Sequence, residues 1–141
     1  MATPKLSGAQ GRADQPLTGT RIVPALIDGQ RCFLECPTWC VIDHVRDNQK
    51  FLVDVWHSGE FVDLESPRRD ETPMLFACAR LGIDPFSSDE AMRHPFLFIE
   101  DGASAEGSYL DPEHAETFAD NLVAFAEKIR AMGRALKAVT A

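Results

Sequence analysis

Cys36-Pro37-Thr38-Trp39-Cys40-Val41-Ile42-Asp43-His44, followed by His57, is the densest cluster of soft metal ligands in the chain. Zn²⁺ takes cysteine thiolate and histidine nitrogen in a tetrahedral shell. Two thiolates cancel the charge of the ion and two neutral imidazoles add none. A complete site is therefore neutral and can be buried at little desolvation cost. Pro37 stiffens the turn between the thiols. The steps of four from Cys36 to Cys40 to His44 let one tight segment supply three donors. His57 would close the shell from a separate element and pin the loop to a sheet. Trp39 is expected to shield such a site from water, and Asp43 to orient a ligand through a hydrogen bond.

Spacing alone leaves two readings open. Zinc ribbons and treble clefs place two residues between paired cysteines, whereas three separate Cys36 from Cys40. Cys40-x-x-x-His44 echoes the end of a CCCH finger without its preceding cysteine spacing. A metal site thus competes with buried thiols and core imidazoles. Cys32, four residues before Cys36, offers a substitute donor, while Cys78 sits in an apolar run and reads as plain core. His94 reads as a loop residue before Pro95, and His114 as an exposed residue of a first helical turn.

Outside this segment the elements read as follows. Residues 1–19 lack periodicity and are expected to form a disordered tail, with a single domain over residues 20–141. Residues 21–27 (R-I-V-P-A-L-I) are β-like, and Pro24 confines them to an edge or a strand end. Asp28-Gly29 signals a turn into residues 30–34. Residues 51–56 (F-L-V-D-V-W) alternate as a strand with Phe51, Val53, Val55 and His57 on one face, and residues 61–64 return as its hairpin partner. Residues 67–72 are a charged loop. Helix and strand compete for residues 74–81 (M-L-F-A-C-A-R-L); Gly82 and Pro85 close the run at strand length and favour strand. Residues 87–92 suit one helical turn capped by Ser87 or Ser88. Residues 95–100 (P-F-L-F-I-E) are a buried strand ended by Asp101-Gly102.

The last element has the strongest pattern. Asp111 is a good N-cap, Pro112 suits the first helical position and Glu113 favours the helix start. Phe118, Leu122, Phe125, Ile129 and Met132 recur at steps of four and three, widened by Ala115, Ala119 and Ala126. This predicts one amphipathic helix packed on a sheet, with Gly133 as its stop and the residues after it frayed. About two heptads are too few for a coiled coil. The expected fold is α+β: a small antiparallel sheet, a C-terminal amphipathic helix on one face, and a Cys/His metal loop.

The C-P-T-W-C-V-I-D-H run, the later His57-Ser58-Gly59, and the closing Y-L-D-P-E-H-A-E-T-F-A-D-N-L resemble a family of small actinobacterial proteins of unknown function. That family carries a C-P-x-W-C-x-x-D-H motif, a downstream histidine and a helix introduced by L-T/D-P-E. The resemblance covers residues 34–60 and 95–130 and fails over residues 68–94. It implies that Cys36, Cys40, His44 and His57 belong together, and it brings no activity with it.

Composition bounds the function. The 141 residues carry 22 acidic and 14 basic side chains, a formal charge of -8 that repels phosphate backbones. Arg68-Arg69 and the Lys128, Arg130, Arg134 and Lys137 group are the basic clusters, the latter suited to complementing a helix end. Between Cys36 and His57 two basic residues face three acidic ones, so a nucleic-acid-contacting zinc module is the weaker alternative. No run approaches the ~20 apolar residues of a membrane span, and the first 20 residues have no apolar signal segment. A cytoplasmic location that keeps thiols reduced follows as an expectation. An enzyme using a Cys/His pair is a further alternative, with Cys36 or Cys40 beside His44 or His57. No phosphate loop, G-x-S-x-G or H-E-x-x-H supports catalysis. The leading expectation is a non-catalytic binding or regulatory module with one structural Zn²⁺ and a protein partner.

Overall fold

The computed structural model describes residues 18–69 and 72–141. The expected disordered tail lies, up to residue 17, outside the described residues, as do residues 70 and 71 of the charged loop. Strand β1 (Thr20–Ile27) and β2 (Gln30–Pro37) form an antiparallel hairpin that pairs Thr20 with Pro37 and Ile27 with Gln30. Asp28 and Gly29 both take positive φ, 49° and 75°, the two-residue turn that matches strand twist. Pro24 is accommodated because β1 is the edge of a two-stranded sheet. Alternation along β2 turns Leu34 and Cys36 inward and Phe33 and Glu35 outward. Ala25, Leu34 and Val55 form the buried core cluster, flanked by Val23, Ile27 and Cys32.

A second antiparallel sheet is built on β5 (Met74–Ile83), the run for which helix and strand competed. On one edge of β5 pair β3 (His57–Ser58) and β4 (Val62–Ser66); on the other lie β6 (Phe96–Asp101) and then β7 (Gly107–Leu110). The strand does not stop at Gly82. The Phe96 ring covers that position so closely that a Cβ would fall 2.5 Å from a ring carbon, which gives the glycine a place inside a strand. Strand β7 was not legible as one. It has four residues, and Tyr109 anchors it by packing its ring 5.0 Å from Phe96 and 4.8 Å from Phe98.

Two expectations are corrected around residue 55. Residues 51–56 do not form a strand: Leu52–Asp54 make a 3-10 turn in which Asp54 N–H donates to Phe51 O at 3.0 Å and Val55 N–H to Leu52 O at 3.1 Å. Of the four residues expected on one buried face, Val55 is 1% exposed while Phe51 is 56% exposed. The backbone satisfies itself locally because this segment must turn from the Cys/His loop into β3. β4 accordingly pairs with β5, whose ten residues are long enough to carry both β3 and β4 on one edge. A second 3-10 turn, Glu90–Arg93, is capped by Asp89, whose carboxylate accepts from Ala91 N–H at 3.0 Å, rather than by Ser87 or Ser88.

The C-terminal helix starts as expected. Here α1 is the short helix His44–Asp47, and α2 spans Pro112–Thr140. Asp111 accepts from His114 N–H at 2.8 Å, and Pro112 takes a first helical position. The helix does not stop at Gly133 but runs through it to Thr140. It meets the sheet at β6 and β7. Ala115 and Phe118 are half-buried there, while every residue from Asn121 to Met132 is exposed. The architecture is α+β with two small antiparallel sheets, one C-terminal helix and a Cys/His cluster.

Candidate metal centre

Each donor reaches the cluster for a local reason. Inward alternation on β2 buries the Cys36 thiol. Cys40 N–H donates to Pro37 O at 3.0 Å, a turn that folds the chain back and sets the second thiol beside the first. Ile42 N–H points at Cys40 Sγ from 3.4 Å and helps hold the thiol in place. Asp43 caps α1, accepting from Val45 N–H at 3.0 Å and Arg46 N–H at 3.2 Å, and so fixes His44 as the first helical residue. Its carboxylate acts through the backbone of that helix, not by holding an imidazole N–H as expected from the sequence. His57 arrives on β3, held to Ile83 of β5. Val41 N–H donates to Ser58 O at 2.9 Å, tying the loop to β3 directly.

The four donors converge. Cys36, Cys40, His44 and His57 are all buried, and one ligand atom from each lies within 4.8 Å of the others. His44 Nε2 is 3.7 Å from Cys36 Sγ, 3.8 Å from Cys40 Sγ and 3.1 Å from His57 Nδ1. The two rings meet edge to face, 80° apart. With metal–sulfur bonds of ~2.3 Å and metal–nitrogen bonds of ~2.0 Å, a tetrahedron spaces sulfur and nitrogen by about 3.5 Å and two nitrogens by about 3.3 Å. The three separations from His44 Nε2 lie close to those edges, so the four residues could hold a metal ion.

Electrostatics point the same way. Burial pushes the His57 imidazole down to about 4, with His44 beside it adding to the shift. Burial also lowers His44, partly offset by Asp47 and Asp43. The Cys36 thiol is pushed up to about 11, first by burial and then by Cys40, with Arg21 opposing. Without an ion the pocket thus holds neutral imidazoles beside an inward thiol whose ionisation burial opposes; a cation reverses the balance for sulfur.

Among the described residues, this is the one gathering of Cys, His, Asp and Glu side chains with metal-site geometry. Cys32 is not in it, because two further steps along β2 carry it down to the hydrophobic cluster. Cys78 is buried in β5 and sits 3.2 Å from Glu100 Oε1. His114 binds the Asp111 carboxylate at 2.8 Å. Sequence reasoning missed Arg21, whose Nη2 donates to Cys40 O at 3.2 Å; an arginine in an edge strand carries no signal for this. Trp39 is half-buried with its ring against Gly59, next to the strand that carries His57.

No helix among the described residues is long and apolar enough to cross a membrane. Comparison with curated proteins and with solved structures finds no match. A family match, to "Domain of unknown function (DUF6907)", covers residues 20–138 and takes in both sheets, the Cys/His cluster and nearly all of α2. The chain belongs to this family of unknown function.

Proposed function

We propose that the chain is a non-catalytic binding or regulatory module built around one structural Zn²⁺, held by Cys36 Sγ, Cys40 Sγ, His44 Nε2 and His57 Nδ1. The observation that carries this reading is the burial of two sulfurs and two nitrogens within 4.8 Å of one another, with near-tetrahedral separations from His44 Nε2. Zn²⁺ suits a mixed thiolate and imidazole set better than Mg²⁺ or Ca²⁺, which prefer oxygen. Four protein donors fill the shell and leave no position for water or substrate, which supports a structural over a catalytic ion.

Burial also weighs against a Cys/His nucleophile. A reactive thiol needs access and a lowered pKa, whereas Cys36 is buried with its thiol raised. The metal would unite the described chain as one domain. The β1–β2 hairpin and the five-stranded sheet share no strand pairing, and the ligands come from both sides of that joint. Reduced thiols fit a cytoplasmic setting, and the charge of -8 favours a protein partner over nucleic acid.

Metal analysis of the purified chain tests the proposal, together with Cys36→Ser and His57→Ala. One zinc per chain is expected, lost in both variants, and chelation should lower the melting temperature of the wild-type chain. A metal-free wild-type chain that melts unchanged in chelator would sink it.

A further inference from the structure

We propose that α2 is the interface of a symmetric, antiparallel homodimer. Because the helix passes through Gly133, its apolar stripe is longer than the sequence pattern up to Met132 suggests. Phe118, Leu122, Phe125, Ile129, Met132, Leu136 and Val139 follow one another at steps of four and three over three heptads. A repeat averaging 3.5 residues is the seam of a left-handed coiled coil, not of a helix lying on a sheet. Among the described residues the seam has little cover beyond its first residue: Ile129 is 52%, Met132 64% and Leu136 66% exposed.

A second copy is the occupant that the helix itself specifies. Glu113, Glu116 and Asp120 load its first half with negative charge, and Lys128, Arg130, Arg134 and Lys137 load its second half with positive charge. Glu127, at the boundary, already pairs with Arg130 in the same helix. Side-by-side parallel helices would set like charges together. Antiparallel pairing sets each acidic half against a basic half and opposes the two macrodipoles. One helix is thereby complementary to itself about a twofold axis, as an isologous interface requires.

Beside the seam, Ala119, Ala126, Gly133 and Thr140 recur every seven residues on one flank. Gly133 lies mid-helix, where it costs about 1 kcal/mol relative to alanine. Among the described residues nothing beyond the helix's own backbone lies within 4 Å of where its Cβ would be, so contacts among them give it no use. A neighbouring backbone approaching closely along that flank supplies one.

Sedimentation equilibrium of the full chain at micromolar concentration tests this. Twice the mass of one chain is expected. Ile129→Glu should raise the dissociation constant roughly a hundredfold by placing a charge in the seam. Val123→Glu, at an exposed apolar site off the seam, should leave the dimer intact. The near-ultraviolet signal of Tyr109 and the tryptophans reports that both variants stay folded. A spin label in place of the Ala141 side chain should lie about 35 Å from its copy in the antiparallel pair and under about 20 Å in a parallel one. A single-chain mass, a dimer indifferent to Ile129→Glu, or the short label distance would each overturn the proposal.

Discussion

His44 Nε2 and His57 Nδ1 stand 3.1 Å apart, closer than either nitrogen needs to be for packing and close to one edge of a tetrahedron. One comes from the first residue of a four-residue helix, the other from a two-residue strand. Elements this short have little stability of their own. Their convergence places the demand for order on whatever occupies the space between the rings and the two sulfurs.

Cobalt offers a spectroscopic check of that space. The metal-free chain titrated with Co²⁺ should develop the intense visible bands of a tetrahedral ion, with sulfur charge-transfer absorption from Cys36 and Cys40. Cys36→Ser should lose about half of the charge-transfer intensity, and His57→Ala should weaken metal affinity by at least about tenfold. An octahedral spectrum would contradict the four-donor arrangement.

Metal-free chain should show a stability window in pH. The His57 imidazole is held at about 4 against a usual 6.5. The unfolded chain therefore binds the proton first, and stability present above pH 6.5 is lost as pH falls towards 4. The Cys36 thiol is held at about 11 against a usual 9.0. Its contribution is present below pH 9 and lost as pH rises towards 11. Thermal melts in chelator should thus peak between about pH 7 and 9, with the acid limb amounting to about 3 kcal/mol.

The start of α2 should titrate separately. Backbone and side-chain hydrogen bonds from His114 hold the Asp111 carboxyl below its ordinary range, and Asp111 raises the His114 imidazole. The carboxylate contribution is present above its unfolded pKa and lost as pH falls through the lowered folded value. The imidazole contribution is present below the usual 6.5 and lost as pH rises through the raised folded value. Helix content at this end should be greatest in mildly acidic solution. Two-dimensional NMR of the His114 ring and the Ala115 amide follows both limbs, and Asp111→Asn should abolish the upper one.

Gly82→Ala should destabilise the chain by about 2 kcal/mol, since the Phe96 ring must leave its place over the strand. Phe96→Leu in the same background should recover part of that loss. Denaturant melts of the single and double variants measure the coupling.

The cluster was legible because ligand chemistry is written in residue identity: Cys36, Cys40, His44 and His57 are named as a set by type and by resemblance, and the structure brings them together. The hairpin turn at Asp28-Gly29, strands β5 and β6 and the helix start at Asp111 were legible through turn and cap chemistry. What misled was period. Residues 51–56 alternate as a strand would, but alternation records which side chains are apolar, and only Val55 finds a core to enter. β7 gave no signal because Tyr109 earns its place from rings on another strand. Gly133 looked like a stop, since a glycine weakens a helix, yet the flanking alanines and the long stripe carry the helix past it.

On the proposed metal reading, the joint between the hairpin and the larger sheet would run through sulfur and nitrogen, beside the Val41–Ser58 hydrogen bond, with no shared ladder of strands. A cross-link of that kind closes the 20-residue interval between Cys36 and His57 much as a disulfide would, yet it needs no oxidant and can be withdrawn. The lifetime of the folded chain would then follow the supply of free ion around it. Proteolysis of chain starved of metal should begin at the hairpin.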